Sequence, residues 1–145
     1  MYLTMTLIRD VALKDYLSEM PPIIEDALKN GGKTAQDTLY EGLKALFDKL
    51  DEMFSKIDNK DLNQGELEAS FVALADRLLF REVDLPLEAA RTKRAQATVG
   101  YMTVCQRAKF RVPEAPRQRI IAWLGQERSG SVQRILSQAI GKLDG

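Results

Sequence analysis

The sequence predicts an all-α protein, a compact multi-helix bundle of about six to seven helices forming a single domain over residues 1–145, with a C-terminal helical hairpin of helix-turn-helix-like outline. Two observations carry that prediction. Apolar residues recur at spacings of three and four through most of the chain, and no stretch alternates long enough to make a convincing strand. Proline and glycine punctuate the periodic segments where helices would stop. At 145 residues and 45% hydrophobic content, the chain is long enough for one core. It shows no internal repeat and no low-complexity segment.

Leu7, Ile8, Val11, Ala12, Tyr16 and Leu17 form a helical stripe that Pro21 and Pro22 end. A short second helix over residues 23–30 is closed by Gly31 and Gly32, and Thr34 with Asp37 suits a capping-box variant opening the third. That third helix runs to about residue 57. Its row of Leu39, Leu43, Leu46, Leu50, Met53 and Ile57 lies beside a second row of Tyr40, Phe47 and Phe54. A two-stranded coiled coil needs only the first row, so the width of the stripe calls for at least two covering helices. Lys44, Asp48, Glu52 and Lys56 fall on its solvated side.

After a polar turn over residues 58–65, Leu67, Phe71, Leu74 and Leu78 define a helix ending near residue 82. The next, over residues 87–110, presents a narrow face of Ala90, Ala97, Tyr101, Val104 and Ala108, small enough for close approach of a neighbour. Cys105 borders that face as a packing thiol. Pro116 suits the first turn of a helix running through Ile120, Ile121 and Leu124 to residue 126, with Trp123 as a core or hairpin anchor. Ser131 then caps a last helix striped by Val132, Ile135, Leu136, Ala139, Ile140 and Leu143.

Overall charge is zero, from 21 basic and 21 acidic residues, but it is divided unevenly. The acidic half, residues 1–90, carries 10 basic and 18 acidic side chains, and the basic half, residues 91–145, carries 11 and 3. Such polarity points to partners of opposite sign, with nucleic acid the first candidate for the basic pole. On a helix, Lys93, Gln96, Gly100, Arg107 and Arg111 share one sector free of carboxylates, and Arg91, Arg94 and Lys109 widen it. Arg117, Arg119, Arg128, Arg134 and Lys142 extend the patch if the last two helices fold back alongside. The expected phosphate-contacting set is therefore Arg91, Lys93, Arg94, Arg107, Lys109, Arg111, Arg117, Arg119 and Arg134. The alternative is a helix face whose counter-charges come from the acidic half.

Several chemistries are set aside. Without histidine, and with one cysteine, the chain lacks the commonest ligands of transition metals, the usual general base and any internal disulfide. Residues 27–34 fit a relaxed phosphate-binding loop, but the charged lead-in Glu25-Asp26-Ala27-Leu28 reads as helix where a buried strand is required. The acidic stretch from Asp58 resembles a calcium loop, yet it puts Lys60 at a ligand position, Asn63 where the glycine belongs and Ala69 where the bidentate glutamate belongs. In the C-terminal hairpin, Gln133, Arg134, Ser137 and Gln138 could reach base edges, although the Arg128-Ser129-Gly130 connection departs from the simplest helix-turn-helix turn. No apolar run approaches the roughly 18–20 residues of a membrane helix.

The expectation is a cytoplasmic, cofactor-free, non-enzymatic accessory or regulatory subunit that contacts DNA or RNA through its basic half, inside a larger assembly. Its alternative is a protein-interaction module, such as an adaptor, chaperone or inhibitor, that binds a protein partner or itself without nucleic acid.

Overall fold

In the computed structural model, which describes residues 37–55, 64–81 and 85–143, every regular element is an α-helix. The helices expected over residues 6–20 and 23–30, the Gly31-Gly32 break, the Thr34 cap, the relaxed phosphate-binding loop and most of the acidic turn lie outside the described residues. The remaining expected helices are all present. They are α1, helical over residues 37–55, α2 (Gln64–Leu78), α3 (Glu88–Ala108), α4 (Glu114–Gln126) and α5 (Gly130–Leu143).

α1 is turned so that its aromatic row lies at the centre of the buried stripe. Leu39, Tyr40, Leu43, Phe47, Leu50 and Phe54 are buried, whereas Leu46 and Met53 are only half-buried. Both α2 and α3 cover it, as the double row requires. The Phe47 ring meets Phe71 of α2 edge-on at 5.6 Å and Tyr101 of α3 at 6.2 Å. Phe71 and Tyr101 stack at 5.2 Å, and Phe80 meets Tyr101 edge-on at the same separation. Rings in these offset and T-shaped poses add about 0.5–1.5 kcal/mol per pair to the gain from burial.

The small-residue face of α3 is used as expected, with Ala90, Ala97, Tyr101, Val104 and Ala108 all buried. Gly100 marks the closest approach to α1, where a Cβ would lie 3.2 Å from Phe47 Cβ. Lys93 meets Glu41, Gly100 meets Phe47 and Arg107 meets Asp51, so α1 and α3 run parallel. α5 packs along α3 from the other side: Glu88 accepts a hydrogen bond from Ser129 just before α5, and Gln106 donates to the Lys142 carbonyl near its end. α1, α3 and α5 thus lie side by side and parallel. Short connections return α4 in the opposite direction between α3 and α5.

Local differences have identifiable causes. α2 stops at Leu78, earlier than its periodicity suggests, because the Leu79 and Phe80 amides both close on the Ala75 carbonyl. α3 ends at Ala108, with Lys109 in the left-handed conformation (φ 61°) and its amide bonded to the Cys105 carbonyl. Ser129, one helical position before Gly130, takes the capping role expected of Ser131, its Oγ accepting the Val132 amide at 3.4 Å. In α4, Ile120 is buried but Ile121 is 45% exposed, so the apolar stripe is narrower than expected.

A side chain at position 100 has to displace Phe47. Gly100→Leu is expected to lower stability by about 1–3 kcal/mol, read as a shift of the urea midpoint, despite the better helix propensity of leucine.

Candidate functional site

The basic half was expected to face a partner, so the positions of its cations decide what the fold presents. The connection between α2 and α3 leaves peptide carbonyls with no helical partner. Arginines from α3 and α4 satisfy them. Arg94 Nε donates to the Leu79 carbonyl and its Nη2 to the Arg81 carbonyl, both at 2.9 Å. Arg119 Nη1 donates to the Phe80 carbonyl, and Arg91 Nη1 to the carbonyls of Leu85 at 3.0 Å and Pro86 at 2.9 Å. The Arg94 guanidinium also lies 5.2 Å from the Trp123 ring centroid and 6.0 Å from that of Tyr40. Burial lowers the Arg94 pKa, and although the Tyr40 hydroxyl opposes this, the charges of Arg119 and Arg81 add to the lowering.

Glu127, at the turn between α4 and α5, is the anionic counterpart. Its carboxylate is 7% exposed as a residue and accepts from Arg91 Nε at 3.1 and 3.2 Å, Trp123 Nε1 at 2.9 Å, and the Arg128 and Ser129 amides at 3.1 Å each. Its carbonyl accepts Gln133 Nε2 at 2.6 Å. Burial would raise the Glu127 pKa, but the Ser129 amide, the Trp123 indole and Arg91 together outweigh it and hold the carboxyl below the ordinary range.

Of the predicted sector, Lys93, Gly100 and Arg107 meet α1, whereas Gln96 is exposed and Arg111 lies beyond the end of α3. Lys93 Nζ lies 2.6 Å from Glu41 and 3.8 Å from Asp37, and Arg107 Nε lies 2.5 Å from Asp51. Gly100 sits between them on Phe47. Gln96, between them, is exposed, and the half-buried Thr92 and Thr103 bond their hydroxyls back to the carbonyls of Glu88 and Val99. Of the nine cations singled out, Arg91, Lys93, Arg94, Arg107 and Arg119 thus serve internal contacts. Lys109, Arg111 and Arg117 gather at the far end of α3 beside Lys142 of α5, and Arg134 is exposed on α5.

The helix-turn-helix outline loses some of its reading residues in the same way. Gln133 is tied to Glu127, and the Ser137 hydroxyl bonds back to the Gln133 carbonyl. Beside the arginine ties lies a cleft of about 380 Å³ lined by Phe80, Leu85, Ile120 and Trp123 among others. Of its arginines, Arg91, Arg94 and Arg119 already have acceptors. Among the described residues no group of His, Cys, Asp or Glu is arranged to hold a metal ion, and no helix is long and apolar enough to cross a membrane. Cys105 is buried, which pushes its thiol up to about 12, so it lies in its unreactive form.

Comparison with known proteins supplies what the side chains alone do not. Residues 6–142 match the family described as ECM29, C-terminal ARM-like repeats. The chain belongs to this family. Its parallel α1, α3 and α5, with antiparallel helices between them, are what an ARM-like stack needs, in which each unit packs on its neighbours. No curated protein and no solved structure matches. Repeat proteins of this kind are helical interaction scaffolds, which agrees with a protein-interaction role and lends no support to nucleic-acid contact.

Glu127→Gln is expected to cost about 3 kcal/mol at neutral pH, because Arg91 and the turn amides keep their burial and lose a charged acceptor. Since the folded-state pKa is depressed, this contribution is full above the ordinary carboxylate pKa and fades as pH falls through the lower folded value. Melting curves from neutral to acid pH should therefore converge for the two proteins. Cys105 should resist thiol reagents in the native protein at mildly alkaline pH and react once urea unfolds it; rapid native labelling would contradict its burial.

Proposed function

We propose that the chain is a non-enzymatic protein-interaction module, an accessory or adaptor unit that works as part of a larger assembly without a cofactor. The match of residues 6–142 to a family of ARM-like repeats carries this reading. Stacked helices offer long, regular surfaces on which a partner protein can lie.

The disposition of charge supports it further. A surface that tracks phosphates needs a run of free cations. Along α3 the cations nearest α1 are paired with Asp37, Glu41 and Asp51. The acidic and basic halves therefore neutralise one another in part within the molecule.

Anisotropy titrations of labelled mixed-sequence DNA and RNA test the alternative directly. Little binding at physiological salt is expected, whereas crosslinking in cells should recover protein partners. Tight binding that falls steeply with salt, and that is lost when Lys93, Arg107 and Arg111 are replaced, would restore the nucleic-acid reading.

A further inference from the structure

The end of α3 differs from the rest of the basic half. Below Ala108 the chain passes through the left-handed Lys109 and then buries Phe110 and Val112, which leaves Lys109 and Arg111 exposed on either side. Arg117 arrives from the first turns of α4 and Lys142 from the last turn of α5. Together with Gln106 they rim a pocket of about 360 Å³, with Met102, Cys105, Phe110 and Val112 also in its lining.

No described carboxylate lines this pocket. Glu68 lies close by, but the contact it makes is with the Arg111 backbone amide at 3.3 Å. Arg117 Nε is buried with no hydrogen-bond partner, in contrast to Arg91, Arg94 and Arg119, whose Nε or Nη groups all have acceptors. The Arg117 guanidinium, which lines the pocket, is therefore not drawn off by an internal acceptor at that nitrogen.

We propose that this pocket receives an acidic side chain of a protein partner, its carboxylate held by Arg117, Arg111 and Lys109 and an adjoining apolar side chain resting on Phe110 and Val112. The proposal rests on the protein-interaction reading and gives the partner a chemistry. Lys109, Arg111, Arg117 and Lys142 converge on this one pocket, whereas Arg91, Lys93, Arg94 and Arg107 of α3 are engaged by carboxylates or carbonyls of the fold. That pattern suits one anchored carboxylate better than a succession of phosphates. Apolar lining among the cations favours a peptide in which acidic and apolar residues adjoin.

The test uses the full chain and a fluorescein-labelled peptide of alternating Glu and Leu, with a Gln-Leu peptide and a mixed-sequence RNA as comparisons. Lys109→Gly removes a charge while relieving the left-handed strain, so any loss of binding is not a loss of folding. Arg111→Gln and Arg117→Gln complete the set, and Arg134→Gln on α5 serves as the distant control. The Glu-Leu peptide is expected to bind, each pocket variant weakening it about tenfold and Arg134→Gln leaving it unchanged. Equal binding of the two peptides, indifference to the pocket variants, or preference for RNA overturns the proposal. Crosslinking of wild-type and triple-variant chains separates the two levels. Undiminished capture of the same partners by the variant would sink the pocket and leave the interaction reading standing. Selective peptide binding by a wild-type chain that captures no protein would leave a carboxylate-selective pocket but overturn the interaction reading and, with it, the assignment of a protein partner.

Discussion

Backbone carbonyls that leave a helix and enter a packed interior must find donors, and this requirement organises the molecule around the link between α2 and α3. Leu79, Phe80, Arg81, Leu85 and Pro86 all present such carbonyls, and Arg91, Arg94 and Arg119 answer them. Guanidinium groups suit the task because one planar fork can serve two acceptors and still rest its face on an aromatic ring. Placing several positive charges so close together is tolerable because Glu127 is buried beside Arg91. Without that carboxylate the turn into α5 would lose the acceptor for its first amides.

The same ties explain why parallel α1, α3 and α5 hold register. Aromatic rings from α1, α2 and α3 fill the interior on one side of α3, and the Glu127 network fixes α4 and α5 on the other. Gly100 allows α1 to come near enough for Lys93 and Arg107 to reach its carboxylates. Apolar packing sets the spacing, and the charged pairs at the edges of the seam set the alignment.

Much of this was legible from residue order. The periodic rows of α1, the small face of α3, Pro116 in the first turn of α4 and the final amphipathic helix each appear where the spacing put them. The roles of the arginines were not legible, since composition shows a cation but not the carbonyl or carboxylate that a distant segment brings to it. Arg94 lies within α3 and Leu79 just past the end of α2, and only tertiary packing makes them neighbours. Glu127 was passed over for the same reason: an isolated glutamate in a basic stretch carries no signal of burial. The repeat character was equally hidden, because stacked helices share a geometry of packing that apolar periodicity can satisfy with very different side chains.

Trp123 is the one tryptophan in the sequence, and its indole donates to Glu127 while its face lies against the Arg94 guanidinium. Its emission therefore registers the state of the link between the two sides of α3 more directly than the average unfolding of the chain. A spectral change that precedes the loss of helical circular dichroism would mark this junction as the place where the stack first comes apart.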